Sequence, residues 1–181
     1  MKTVIIYLIG LSGTGKYTIA QEIAQHNYKV VDNHLINNPI FSLLNWDKFN
    51  EEAPFQGLAW ALIAKIRGAV FEYIVCEREN NYVLTNELLK TERRLYDRVK
   101  ELAQIRKSIF VPVRLVISND ERAKRIASPG RAERFKSTVI GERKDLIVLE
   151  HENLLELDVT NLSAKEAAEQ IIAHVGQRRR D

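Results

Sequence analysis

The residues best equipped for chemistry form one run near the amino end: Gly10-Leu11-Ser12-Gly13-Thr14-Gly15-Lys16-Tyr17-Thr18. The first seven satisfy the pattern G-x-x-x-x-G-K. Glycines let a backbone close around a phosphate because no Cβ blocks the approach. Successive N–H groups then point inward as an anion nest. A helix starting at Lys16 adds unsatisfied donors and the positive end of its dipole. On this reading Gly10, Ser12, Gly13, Thr14, Gly15, Lys16, Tyr17 and Thr18 receive the phosphates of a nucleotide, with ATP the expected one. Lys16 would reach the β- and γ-phosphates and offset charge during transfer. A flexible glycine-rich turn is the competing interpretation. An apolar strand before the run and an amphipathic helix after it argue against that.

The run departs from its pattern at one place. The position after the lysine ordinarily carries Ser or Thr, whose hydroxyl ligates Mg²⁺; here it is Tyr17. A phenol on a long rigid ring cannot take that place without moving the metal. Thr18 is no simple substitute, because successive helix residues point about 100° apart; its expected partner is an α-phosphate oxygen. The ion is therefore expected to be held by phosphates, water and Asp32.

Apolar and amphipathic segments alternate along the chain, which points to βαβ organisation. Val4–Ile9 is a continuous β-branched run suited to a doubly covered parallel strand. Further strands are expected at Lys29–Val31, Asn81–Thr85, Phe110–Ser118 and Leu155–Val159, with Pro112 tolerable where that end is unpaired. Helices are expected over Lys16–Gln25, about Phe55–Glu79 (apolar stripe Leu58, Leu62, Ile66, Ala69, Val70, Tyr73), Glu92–Lys107, and in part over Glu121–Thr138, interrupted at Pro129-Gly130. Asn33–Pro54 should hold loops and short helical pieces. Ser163 and Glu166 form a capping box for the final helix, with Gly176 as its stop. The sum is an α/β fold of about five mostly parallel strands with helices on both faces. Ligands bind such sheets at the carboxyl ends of the strands, where Asp32, Thr85 and Asn86 fall.

The 181 residues suit one domain, with 45% hydrophobic and 28% charged residues marking a globular chain. A net charge of +3 is too small to imply nucleic acid. One cysteine, Cys76, excludes an internal disulfide framework, and a reducing cytoplasm is the simplest setting. No stretch is apolar enough to span a bilayer. Lys2 followed by Thr3–Leu11 has the look of a short signal peptide, but cleavage there would destroy the phosphate loop.

The chain resembles the P-loop small-molecule kinases, the branch that includes shikimate, gluconate, nucleotide and chloramphenicol kinases. The residues that carry the resemblance are Gly10–Thr18, the acidic Asp32 with Asn33-His34, the basic segment after the fourth strand, and Asp158-Val159-Thr160-Asn161 before the capped last helix. It implies a three-layer α/β/α P-loop NTPase fold as a single domain over residues 1–176, with an acceptor-site insert at 33–56, an arginine-rich lid at 119–140 and a basic tail at 177–181. It implies that Asp32 aligns or deprotonates an acceptor hydroxyl, an N-cap being its structural alternative. It implies that Arg125 packs on adenine and that Arg131 or Arg134 touches phosphate, within a cluster that also holds Arg122 and Lys136. The loop 158–161 would meet the adenine edge. His34, Asn33, Asn37 and Asn38 are candidate acceptor contacts or ordinary loop residues. Trp46, Phe49 and Phe55 could wall the acceptor pocket, while Trp60 suits core packing and Cys76 a buried or half-buried helix position. Glu87 follows the third strand without the arrangement of a Walker B acid.

The activity implied is phosphoryl transfer from ATP, with Mg²⁺, to a hydroxyl or phosphate of a small metabolite. A polynucleotide 5′-hydroxyl kinase is the related alternative, and a nucleotide-binding regulator with little turnover is the alternative of another class. Tyr17 keeps the last one open.

Overall fold

Every residue of the first strand, β1 (Val4–Ile9), is buried, because both of its faces are covered. Its side chains alternate. Val4, Ile6 and Leu8 join a core with α1 (Lys16–Ala24) and α6 (Ala164–Arg178). Ile5, Tyr7 and Ile9 join a second core with α3 (Gln56–Cys76) and α4 (Arg93–Arg106). An apolar run without polar alternation is what such a strand requires. The computed structural model describes residues 2–44, 56–128 and 146–180.

Around β1 stand β2 (Tyr28–Asp32), β3 (Asn81–Asn86), β4 (Ile109–Val116) and β5 (Leu155–Asp158), in the order β2-β3-β1-β4-β5. Every pairing in this sheet is parallel, which sharpens the expectation of a mostly parallel one. Pro112 lies inside β4 opposite Tyr7. Phe110, two residues earlier and turned the same way, has its carbonyl on the β5 side, where Asn153 Nδ2 donates to it at 3.0 Å. Pairing with β5 starts only at Val113. The donor that Pro112 lacks therefore faces a side with no ladder, and the proline costs no sheet bond.

The segment after β2 opens with a short helix, α2 (Asn33–Phe41), as expected of it, and Pro39 lies inside; Asp32 caps it through an Oδ1 bond from the His34 N–H at 2.9 Å. Several local expectations need correction. Helix α3 buries Ala59, Ile63, Phe71 and Ile74, whereas Leu58 and Tyr73 of the expected stripe are exposed. Nearly the whole helix is apolar, so periodicity alone left its phase open by one residue. Trp60 is 46% exposed and meets the Phe41 ring edge-on at 5.2 Å, so it is not core. Cys76 is exposed at the end of α3. Helix α6 runs past Gly176 to Arg178, and Arg179 Nη2 donates to Asn81 Oδ1 at 3.2 Å, so the chain end is not frayed there. The Ser163–Glu166 capping box is present as expected. Helix α5 (Asn119–Ala127) covers the described part of the basic segment.

The far side of the α4 layer is fastened by one buried guanidinium. Arg106 donates to the carbonyls of Ile74 and Asn80 and to Ser108 Oγ. It lies 3.7 Å from Glu77 Oε2 and over the Tyr82 ring. It thereby ties the end of α3 to the start of β3 and the end of α4. Replacing it leaves buried carbonyls and a carboxylate without a partner, so Arg106→Ala should cost about 3 kcal/mol in urea unfolding. A loss under about 0.5 kcal/mol, the usual effect of a surface change, would show that the pin is dispensable.

Candidate functional site

β1 delivers the phosphate loop at Gly10, whose N–H donates to Asn86 O at 3.3 Å. Gly13 and Gly15 hold φ of 98° and 83°, a region that favours glycine. A Cβ on Gly13 would also stand 2.9 Å from Arg122 Cγ, and one on Gly10 would stand 3.0 Å from the Leu115 carbonyl. Gly10 is therefore required by close approach, and Gly13 by close approach as well as by its positive φ. Gly15 is the N-cap of α1, and no side chain caps that helix. Such a terminus offers its first-turn donors and its dipole to an anion. Lys16 Nζ donates to the carbonyls of Gly10 and Leu11 at 2.7 and 2.9 Å, so the ammonium lies across the mouth of its own loop. Thr14 is buried, with its hydroxyl bonded to Leu11 O at 2.9 Å. Its side chain shapes the loop from inside, while Thr18 is exposed on α1.

The tip of β3 braces this loop. Thr85 Oγ1 donates to Asp32 Oδ2 at 2.5 Å. Asn86 receives the Gly10 N–H on its carbonyl and the buried Tyr7 hydroxyl on Oδ1 at 3.0 Å. Burial pushes the Tyr7 hydroxyl far above its ordinary pKa, so it stays a donor. Glu87 Oε2 then accepts the Ser12 N–H at 2.9 Å. On the other side Arg122 Nε donates to Ser12 O at 2.8 Å. The Ser12 residue is thus held by a carboxylate at its N–H and by a guanidinium at its C=O.

Asp32 is 2% exposed at the end of β2, and β3 alone separates that strand from β1. The structure makes it both a helix N-cap and a carboxylate at the carboxyl edge of the sheet. Asn33 and Asn37 turn their side-chain carbonyls to Arg67 Nη2 at 2.9 and 3.1 Å. Asn38 is exposed, and His34 is half-buried. Helix α5 lies against the loop through Arg122 and sets Arg125 beside it. Arg125 Nε bonds Glu121 Oε1 at 3.0 Å and its Nη2 bonds Val159 O at 2.9 Å. The same guanidinium comes within 3.7 Å of where a Gly15 Cβ would stand. Arg125 therefore bridges the phosphate loop and the turn 158–161, where two hydrogen bonds from Thr160 hold the Asp158 carboxyl below its usual pKa. A cleft of about 350 Å³ opens beside the loop, lined in part by Leu11, Thr14, Lys90 and Val116. Arg131, Arg134, Lys136 and the Pro129-Gly130 bend, like Trp46, Phe49 and Phe55, lie outside the described residues.

Sequence reasoning passed over Glu87, Tyr7 and Arg67. Glu87 lacks the Walker B arrangement, yet it meets the loop because β3 and β1 are neighbours in register, Asn86 opposite Ile9. Its place at a strand end was the available signal. Tyr7 and Arg67 gave none, since one sits in an apolar strand and the other in an apolar helix. Among the described residues no three His, Cys, Asp or Glu side chains gather as a metal site. Nor is any described helix long and apolar enough to cross a membrane.

No protein-family model matches the chain, and no curated protein matches it in sequence. Solved structures do match it in shape. A Chloroflexus aurantiacus protein provisionally assigned as a kinase aligns with 96% of this chain and 99% of its own, at TM-score 0.69 and 16% identity. A sugar kinase from Janibacter aligns with 96% and 95% at TM-score 0.65 and 15% identity. The APS kinase of Mycobacterium tuberculosis aligns with 97% and 98% at TM-score 0.61 and 15% identity. The chain is similar to these over nearly its full length, and its fold is the three-layer α/β/α P-loop NTPase fold.

Proposed function

We propose that this chain is an ATP-dependent phosphotransferase acting on a small metabolite, with a hydroxyl or phosphate as acceptor. The observation that carries the reading is the loop Gly10–Thr18, braced at the carboxyl edge of a parallel sheet with Lys16 across its mouth. Ligands of open α/β sheets bind at that edge. The similarity to solved kinases supports the same reading without naming an acceptor.

In this account the loop N–H groups and the α1 terminus bind the phosphates, and Lys16 exchanges its loop carbonyls for phosphate oxygens. The acceptor oxygen bonds to the γ-phosphorus as the bond to the bridging oxygen breaks, and ADP leaves. Asp32 orients the acceptor hydroxyl and takes its proton. Arg125, between loop and turn, closes the nucleotide side, and Arg131 and Arg134 from the lid would add phosphate contacts. The residues fit Mg²⁺ held through phosphates and water. Each Asp32 oxygen already accepts one hydrogen bond and keeps a second lone pair, which suits an outer contact. When bound, the ion supplies charge neutralisation on the phosphates. An ATP-consuming enzyme with a single cysteine suits the cytoplasm.

The reading is tested by ADP release over a panel of hydroxy acids, sugars, nucleosides and nucleotides. Asp32→Asn keeps an acceptor for the His34 N–H, and so the N-cap, while it removes the charge and turns the oxygen that accepts the Thr85 hydroxyl into an amide donor. It should lower kcat by about 100-fold, the usual worth of a positioned base, with the KM for ATP nearly unchanged. Unchanged kcat would remove Asp32 from the chemistry. Glu87→Gln can still accept the Ser12 N–H but no longer opposes the phosphates. A unit-charge repulsion of roughly 0.8 kcal/mol across about 5 Å of water predicts about fourfold tighter ATP binding by calorimetry. Weaker binding would mean that the Glu87 charge serves the nucleotide.

A further inference from the structure

Asn86 ends β3 between the two halves of the candidate site. On the β1 side its backbone carbonyl accepts the Gly10 N–H at 3.3 Å, and the Gly10 carbonyl accepts Lys16 Nζ at 2.7 Å. On the β2 side the preceding residue, Thr85, holds Asp32 Oδ2. Since β3 lies between those two strands, a group passing from the ammonium to the carboxylate crosses the end of β3.

One bond sets the Asn86 side chain. The Tyr7 hydroxyl donates to its Oδ1 at 3.0 Å. The Tyr7 ring packs against Tyr96 and Phe110, at centroid separations of 6.3 and 6.5 Å, and burial keeps its hydroxyl protonated. Among the described residues Asn86 is the one hydrogen-bond partner of that hydroxyl. A reversed amide would set its N–H donors against the phenol and leave the phenolic hydrogen without an acceptor, so the hydrogen-bond pattern fixes which way the amide faces. With Oδ1 turned inward, Nδ2 is turned outward. It bonds to none of the described residues, yet it is not shut off from solvent. The 7% of Asn86 that stays exposed therefore includes this nitrogen. The amide offers two N–H donors at the carboxyl edge of the sheet.

We propose that the Asn86 amide donates to the γ-phosphoryl group during transfer, and that the Tyr7 hydroxyl is the positioning group that aims it. This rests on the kinase reading above and adds a contact which that reading lacks. Charge in such a transfer is spread over the equatorial oxygens of the moving group. A neutral donor already aimed at them stabilises that charge without drawing the Asp32 carboxylate away from the acceptor, as a second cation would. ADP has no γ-phosphoryl group and leaves the donor unused.

The test compares calorimetric affinities for the non-hydrolysable analogue AMPPNP and for ADP, both with Mg²⁺, and reads their ratio. Asn86→Ala should weaken AMPPNP by at least about tenfold, as for a lost hydrogen bond to a charged group, and change ADP by less than about twofold. Asn86→Asp keeps the acceptor that Tyr7 needs and exchanges the donors for a negative charge, so it should lower the ratio further. Tyr7→Phe keeps the buried ring and frees the amide to turn; a loss of about threefold for AMPPNP alone is expected. ADP binding reports that each variant is folded. If AMPPNP and ADP weaken together, or neither changes, Asn86 only braces the loop and the proposal is wrong although the kinase reading stands. An unchanged ratio in Tyr7→Phe would remove the positioning role. If the wild type binds neither nucleotide, the kinase reading fails and the proposal falls with it.

Discussion

Three consecutive residues at the tip of β3 carry hydrogen bonds that run sideways to the neighbouring strand ends. Thr85 bonds Asp32 at the end of β2, Asn86 receives Gly10 at the end of β1, and Glu87 receives Ser12 within the phosphate loop. Buried polar groups left unmade cost about 1–3 kcal/mol each, so this row constrains both neighbours at once. A fully satisfied network of this kind rigidifies what it touches. The loop and the Asp32 carboxylate therefore share one support, and neither can shift without breaking bonds to the strand between them. Arg122 completes the frame from α5 by fixing the Ser12 carbonyl.

What could be read from the sequence was local. The loop, the strand before it and the helix after it follow one another in the chain, and their residue types state their own conformations. The Ser163–Glu166 box was legible for the same reason. Asp32 was placed correctly at a strand end because the second strand stops there. The neighbours of these residues were not legible. Glu87 acquires its partner from the pairing of β1 with β3, which joins residues about seventy-five positions apart. No spacing within a single chain encodes that contact.

Helix α3 shows a different limit. Leu58, Ala59, Leu62 and Ile63 are all apolar, so two adjacent faces compete for the core and the pattern does not choose. The structure takes the face of Ala59 and Ile63, and this choice carries Arg67 into the carboxyl edge of the sheet beside Asn33 and Asn37. Arg67, half-buried and bonded to both asparagines, is thus placed by a rotation of roughly 100°, one residue of helix. Arg106 and Arg122 are the buried arginines among the described residues, one pinning α3, β3 and α4 together and the other holding the Ser12 carbonyl of the phosphate loop.

The central claim is that Gly10–Thr18 binds a nucleoside triphosphate, and calorimetric titration of ATP into the wild type and Lys16→Ala tests it most directly. The account predicts saturable binding by the wild type that weakens at least about 100-fold when the ammonium is removed, as expected for the loss of a preorganised charged donor. Equal binding by both proteins, or none by the wild type, would contradict it.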